Sequence, residues 1–159
     1  MLITVAAIGK LKAGPERELI DRFLARAGGP SKTIGLTFAE RELPESRADN
    51  VAARKNQEAA ALVASVAPGA VLVALDEGGT NLDSAGFAAR LAKWRDGGTP
   101  GVVFAVGGAD GHGAALLARA DMRLAFGAMT WPHRLARAML AEQLYRAVTI
   151  LSGHPYHRA

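Results

Sequence analysis

The chain has 159 residues, 50% of them hydrophobic and none of them cysteine. This length suits one domain with a sizeable core, and the lack of thiols excludes disulfides, cysteine nucleophiles and thiolate zinc sites. The net charge of +4 lies wholly in residues 119–159, where six arginines accompany two acidic residues. Arginine binds phosphate through paired hydrogen bonds, so the excess favours a phosphate-rich partner near the C-terminus. The alternative for any single arginine is a solubilising position on a helix or an ion pair in a subunit interface.

The apolar segments of the chain are short. None approaches the roughly 20 residues that span a bilayer, and the N-terminus lacks the basic region of a signal peptide. We therefore expect a cytoplasmic protein without a membrane partner.

Strands and helices alternate along the chain. Apolar or β-branched runs predict strands at residues 2–8, 33–38, 71–75, 102–106 and 122–126. Helices are expected between them at 15–27, 51–66, 84–94 and 114–118, with a polar surface loop at 41–50. The runs at 71–75 and 102–106 are continuously apolar, which is typical of strands buried on both faces. This order predicts a single α/β domain over residues 1–159, with a mainly parallel sheet of about five strands flanked by helices.

The last helix is predicted at residues 134–151, with Thr130 as its N-cap and Gly153 as its stop signal. Its apolar positions, among them Leu144, fall on every side of the helix. A small domain is expected to cover one side only, so a second copy of the chain should pack against the other. The pattern therefore predicts a homodimer.

Ligands of parallel sheets bind beyond the carboxyl ends of the strands. Three of these ends carry special loops: Leu75 precedes an acidic, glycine-containing turn, Gly107 and Gly108 follow a buried strand, and Phe126 opens a loop that reaches Trp131. Glycines let a ligand approach the backbone, although they could equally form tight turns only. Neither a P-loop nor a G-x-G-x-x-G motif is present. The loops thus favour a ligand with an adenosine-like apolar part and no polyphosphate.

Four segments together form a more specific pattern. They read Val-Gly-Gly at 106–108, Met-Thr-Trp-Pro-His at 129–133, Ala-Glu-Gln-Leu-Tyr-Arg-Ala at 141–147 and His-Pro-Tyr-His-Arg at 154–158. The chain, over essentially its whole length, resembles the ribosomal RNA large-subunit methyltransferase H family of the SPOUT superfamily. The resemblance implies a SPOUT-type α/β fold with a C-terminal trefoil knot, which pattern rules alone would exclude. It also implies a homodimer that transfers a methyl group from S-adenosylmethionine to N3 of a pseudouridine in 23S ribosomal RNA within the ribosome.

The resemblance further implies the residues of the site. The cofactor-binding residues would be Leu75, Gly107, Gly108, Phe126, Gly127, Ala128, Met129, Thr130 and Trp131. The weakly acidic imide N–H of the base must lose its proton, and His154 is the best titratable candidate, with Arg158 as the second predicted catalytic residue. Tyr156, His157 and Arg137 are predicted to bind the substrate. No metal is expected, because His154 and His157, the two histidines of the C-terminal tail (residues 154–159), lack an obvious third ligand.

Two other functions and one geometric question stay open at this point. The main alternative is a non-catalytic basic RNA-binding α/β module whose glycine loops are structural. A hydrolase with His133 as its base lacks a serine or carboxylate partner. The sequence leaves open whether the tail completes the site of its own subunit or that of a partner.

Overall fold

The computed structural model describes residues 1–156, in which five strands and five helices alternate. The strands are β1 (Leu2–Ile8), β2 (Thr37–Leu43), β3 (Val71–Asn81), β4 (Gly101–Val106) and β5 (Met122–Ala125). The helices are α1 (Pro15–Thr33), α2 (Val51–Ala64), α3 (Ser84–Asp96), α4 (Ala114–Arg119) and α5 (His133–Leu151). Every strand pair is parallel, and the strand order is β2-β1-β4-β3-β5. The predicted fold class, a parallel sheet flanked by helices, is therefore confirmed.

Both faces of the sheet are covered, which explains the continuously apolar strands. Successive side chains of a strand point to opposite faces. In β4, Phe104 and Val106 belong to a core that also contains residues of α1, α3 and α5. Val103 and Ala105 belong to a second core with residues of α2 and α4. The sheet is thus the middle of three layers.

The second strand begins later than the sequence predicts. Helix α1 continues through Pro30 to Thr33, and β2 occupies Thr37–Leu43, where part of a surface loop was expected. β2 lies at the edge of the sheet, and an edge strand tolerates polar side chains. Its carboxylates Glu40 and Glu42, two residues apart and so on one face, meet Arg17 and Arg137. The polar sequence is explained by these ion pairs, which join residues far apart in the chain.

Strand β3 runs six residues beyond the predicted end at Leu75. Both Leu75 and Thr80 pair with Leu124 of β5, so residues 76–79 bulge out between two pairings with the same residue. A Cβ atom at Gly79 would lie 2.7 Å from the carbonyl carbon of Arg123, so this position requires glycine. The bulge projects Asp76 and Glu77 at the carboxyl end of the sheet.

Helix α5 differs from its prediction in two ways. It begins at His133 with Pro132 at the N-cap position and no side-chain cap, so the prediction of Thr130 as N-cap was wrong. The helix also packs against both α1 and α3 within one subunit. Leu144 and Val148 are fully buried there, and Tyr145 is 3% exposed. The apolar circumference of α5 is therefore explained largely by its own subunit, and the homodimer requires other evidence.

Helices within residues 1–156 are either too short or too polar to cross a membrane. The trefoil knot stays a prediction, because a knot is defined by how the chain passes through a loop rather than by strand order.

Candidate functional site

A cavity of about 700 Å³ opens at the carboxyl ends of β3, β4 and β5. Eight of the nine predicted cofactor-binding residues line it together, and Ala128 does not. The lining ones are Leu75, Gly107, Gly108, Phe126, Gly127, Met129, Thr130 and Trp131. Parallel strands bring these three loops together because their carboxyl ends meet at one edge of the sheet.

The loop between β5 and α5 forms one wall of this cavity and is tied to the extension of β3. The backbone N–H of Gly127 donates to Oδ1 of Asn81 at 2.8 Å, and the hydroxyl of Thr130 donates to the carboxylate of Glu77. The indole N–H of Trp131 closes the loop on the carbonyl of Phe126 at 2.9 Å. Gly127 has φ +96° with nothing near its Cβ position, so its backbone is left accessible from the cavity. These contacts fix the loop against β3, and the apolar side chains of Phe126, Met129 and Trp131 line the cavity beside it.

The loop after β4 forms another part of the cavity lining. A Cβ atom at Gly107 would lie 3.1 Å from the carbonyl carbon of Gly111 and 3.3 Å from Nδ1 of His112. His112 lines the same cavity and is only 8% exposed. Both of its ring nitrogens are buried, and within residues 1–156 the backbone carbonyls of Leu75 and Ala105 lie beside the ring without forming well-aligned hydrogen bonds to it. Such an unsatisfied ring beside a cavity is a place where a bound polar group can be accommodated.

The charge of this ring is set by its surroundings. Burial lowers the pKa of His112 below its ordinary value, and the charge of Lys55 lowers it further. Asp76 and the backbone carbonyls of Leu75 and Ala105 oppose the shift without cancelling it. The imidazole is therefore neutral at physiological pH, which suits a group buried against an uncharged part of a ligand.

The rim of the cavity carries charges that sequence reasoning missed. Lys55, Asp76, Glu77 and Asp110 all line it. Asp110 pairs with Nε of Arg54 at 2.7 Å, which holds the pKa of its carboxyl below the usual range. Asp76 and Glu77 could have been suspected, because they directly follow a buried strand. Lys55 lies in the middle of α2, where nothing in the sequence distinguishes it from a surface lysine.

Residues 154–156 fold back beside α5 in this subunit, away from the cavity. The ring of Tyr156 lies 4.5 Å from that of Tyr145, between the guanidinium groups of Arg26 and Arg146. Its hydroxyl donates to Glu142 at 3.3 Å. Neither His154 nor Tyr156 lines the cavity, and the predicted residues His157 and Arg158 lie outside the described part of the chain.

The structure gives Arg137 a different position from the one expected of a substrate-binding residue. It is 3% exposed, and its guanidinium donates to Glu42 at 2.8 Å and to the carbonyl of Gly9 at 3.3 Å. A guanidinium enclosed in this way has no free edge for a phosphate, which argues against the predicted contact. Two other arginines of the basic segment, Arg123 and Arg134, are exposed and form no ion pair within residues 1–156.

Comparisons with known proteins identify the family. A family model described as "Predicted SPOUT methyltransferase" matches residues 1–157. The chain belongs to the SPOUT methyltransferase family. It is 54% identical to "Ribosomal RNA large subunit methyltransferase H" of Nitrobacter hamburgensis over 99% of both chains. Proteins of the same name from Rhodopseudomonas palustris strain BisB5 and Bradyrhizobium sp. strain BTAi1 are 52% and 51% identical over 100% of each chain.

The family resemblance that the four sequence segments indicated is therefore confirmed. Among solved structures, a crystal structure titled as the SpoU methyltransferase AviRb from Streptomyces viridochromogenes with the cofactor AdoMet matches it at a TM-score of 0.41 and 15% identity. That match covers 92% of this chain and 59% of the other. Within residues 1–156, no three His, Asp or Glu side chains gather into a group that could hold a metal.

Proposed function

We propose that this protein transfers a methyl group from S-adenosylmethionine to N3 of a pseudouridine in 23S ribosomal RNA, and that it acts on ribosomes in the cytoplasm. The observation that carries the proposal is the combination of family and site. Full-length relatives at 51–54% identity are named ribosomal RNA large subunit methyltransferase H, and the predicted cofactor loops line one cavity.

The residues around the cavity suit this cofactor. Leu75, Phe126 and Trp131 offer apolar surface for an adenine ring, and the backbone around Gly127 is accessible for hydrogen bonds. Asp76 and Glu77 lie at the rim, where carboxylates can attract the positive sulfonium and ammonium groups. When bound, S-adenosylmethionine supplies a methyl group that its sulfonium has already activated. The protein must then position the RNA base in line and remove one proton.

His154 is the proposed acceptor of that proton. In this conformation its Nδ1 accepts the backbone N–H of Tyr156 at 3.2 Å, a hydrogen bond that Nδ1 must give up before it can accept a proton from the substrate. Arg158 would stabilise negative charge on the base oxygens, and Tyr156 and His157 would hold the RNA.

A homodimer would bring the tail and the cavity together. Helix α5 has 19 residues and is about 28 Å long, with the cavity at its start and the tail beyond its end. A partner packed antiparallel along α5 would place its tail beside this subunit's cavity. Supporting this, Met129 is 71% exposed, Trp131 39% and Leu135 36%, which leaves apolar surface uncovered around the start of the helix.

The exposed arginines indicate where RNA would lie. Arg123 on the edge strand β5 and Arg134 in the first turn of α5 flank the loop that walls the cavity. Phosphates held there would bring an RNA hairpin across the cavity mouth.

The proposal is tested by incubating the protein with labelled S-adenosylmethionine and either assembled ribosomes or free 23S RNA, and mapping the methylated nucleotide. We expect label at N3 of one pseudouridine, lost on deletion of residues 154–159, while calorimetric binding of S-adenosylmethionine persists. Binding of RNA without any binding of S-adenosylmethionine would instead identify a non-catalytic RNA-binding module.

A further inference from the structure

One cation at the rim of the cavity has no role in the site described so far. Lys55 lines the cavity from α2 and forms no ion pair within residues 1–156. Its neighbour Arg54 is already engaged, because it bonds to Asp110 at 2.7 Å and to the carbonyl of Ala48 at 3.3 Å. The charge of Lys55 is thus the one on α2 that remains available to a ligand in this cavity.

The position of Lys55 is fixed by close packing of α2 on the loop after β4. A Cβ atom at Gly113 would lie 2.6 Å from the carbonyl oxygen of Lys55, so the two backbones touch. One turn further along α2, the carboxylate of Glu58 is 7% exposed and accepts the backbone N–H of Ser46 at 2.9 Å. A Cβ atom at Gly108 would lie 3.1 Å from that same carboxylate. The backbone of α2 is therefore held against the loop that lines the cavity.

The charges that line the cavity come from three elements. Asp76 and Glu77 project from the β3 bulge, Lys55 belongs to α2, and Asp110, in the loop after β4, is engaged by Arg54. The amino-acid end of S-adenosylmethionine carries both a cationic ammonium and an anionic carboxylate. Because Asp110 is already engaged by Arg54, Lys55 can meet the carboxylate, and Asp76 and Glu77 can meet the cationic groups.

We propose that Lys55 binds the carboxylate of S-adenosylmethionine and so selects ligands that carry the complete amino-acid end. The inference rests on the proposed function, because it takes S-adenosylmethionine as the ligand of the cavity. Lys55 is then a specificity-determining residue. It recognises a part of the cofactor that takes no part in the chemistry.

The test compares two ligands of which only one carries the amino-acid end. S-adenosylmethionine and 5′-methylthioadenosine share the adenosine, but the latter lacks both carboxylate and ammonium, and its sulfur is a neutral thioether instead of a sulfonium. Calorimetry would measure both affinities for wild type, Lys55→Met and Lys55→Arg, with Lys93→Met on the exposed end of α3 as a matched control. Lys55→Met should lower the affinity for S-adenosylmethionine about tenfold to a hundredfold, the range of one hydrogen bond to a charged group, and leave 5′-methylthioadenosine unchanged.

The variants Lys55→Arg and Lys93→Met are the controls. Lys55→Arg should keep most of the affinity, since arginine also binds carboxylates, and Lys93→Met should bind both ligands as wild type does. Equal loss for both ligands in Lys55→Met would overturn the inference, because Lys55 would then only shape the cavity. Unchanged affinity for S-adenosylmethionine with weaker RNA binding would also overturn it and assign Lys55 to an RNA phosphate. A wild-type protein that binds neither ligand would refute the proposed function itself.

Discussion

At the scale of single residues, burial decides what a charged side chain can do. Arg137 resembles a phosphate-binding residue in the sequence, yet its guanidinium is enclosed by Glu42 and the carbonyl of Gly9. The pKa of Glu42 is raised by burial, but hydrogen bonds from the Leu11 backbone and from Arg137 outweigh that effect and hold it below its ordinary value. The ion pair between Arg137 and Glu42 therefore joins the edge strand β2 to helix α5. It stabilises the fold and is not exposed to a ligand at the surface.

Replacing Arg137 by Met should destabilise the protein by about 2–3 kcal/mol, because Glu42 would lose a charged hydrogen-bond partner. Urea unfolding measures the change, and Arg134→Met, exposed on the same helix, should stay within about 0.5 kcal/mol of wild type. Adding Glu42→Gln to Arg137→Met should cost less than the sum of the two single changes. A fully stable Arg137→Met variant with weaker RNA binding would restore the predicted substrate contact.

His112 gives the protein a pH dependence with a defined sign. Since burial holds its pKa in the folded state below that of about 6.5 in the unfolded chain, the unfolded chain takes up the proton first as the pH falls. The melting temperature of the wild type should therefore fall from pH 7.5 to 5.5. The melting temperature of His112→Leu should fall less over that interval. His133→Leu, at the edge of the same cavity, controls for the loss of one histidine. Identical slopes in wild type and His112→Leu would contradict this assignment.

At the scale of elements, the site depends on how closely helices and loops approach. Helices α2 and α4 meet where Gly113 touches the carbonyl of Lys55, and the β3 bulge passes over β5 at Gly79. Both contacts exclude a side chain at the glycine. They bring Lys55 of α2 and the carboxylates of the β3 bulge to one cavity, which neither element could achieve alone.

Gly113→Ala should destabilise the protein by about 1–3 kcal/mol, because its Cβ would force α2 away from the loop after β4. It should also weaken cofactor binding, since that loop lines the cavity. Gly28→Ala is the matched control: Gly28 lies inside α1 with nothing within 4 Å of its Cβ position, so alanine should stabilise the helix by about 0.5–1 kcal/mol. Thermal unfolding distinguishes the two, and equal effects would show that the close approach at Gly113 is unimportant.

At the scale of the whole molecule, the cavity lies at the start of α5 and the described tail residues 154–156 lie beside its C-terminal half, and one subunit leaves apolar surface uncovered near the cavity. Leu144 cannot test for a second subunit, because it is fully buried in its own. Leu135 is exposed, and Met139, one turn further along α5, is half-buried, so these two positions are the appropriate ones.

The wild-type protein should sediment as a dimer at micromolar concentration. Leu135→Glu combined with Met139→Glu should yield a folded monomer, because two charges would have to be buried without partners. Val51→Glu, at an exposed position at the start of α2, should leave the dimer intact. Sedimentation of the wild type as a monomer would exclude the dimer.

A shared site predicts recovery of activity on mixing two inactive chains. Gly107→Val should displace the loop of Gly111 and His112 and impair the cavity, whereas deletion of residues 154–159 removes the tail. Heterodimers of these chains should regain about half of the wild-type activity, since one of two sites is complete. Proven heterodimers without activity would place the tail in the site of its own subunit.

The layered α/β architecture and the loops that form the cavity are predictable from the amino-acid sequence. Buried parallel strands need continuous apolar runs, as at residues 102–106, and ligand loops must follow such strands, so both features are written locally in the chain. The motifs of the loop before α5 and of the tail were specific enough to indicate the family.

The tertiary structure alone decided the features that join distant parts of the chain. The sequence predicts β2 too early in the chain, because its acidic residues are typical of a surface loop. Only in the folded protein are they neutralised by arginines of α1 and α5. The apolar circumference of α5 was attributed to a partner because its coverage by α1 and α3 is invisible to periodicity. Lys55 and His112 have ordinary neighbours in sequence, and only packing of α2 and of the loop after β4 around the cavity gives them a place in the site. Burial and charge pairing depend on neighbours in space, and those neighbours exist only after the chain has folded.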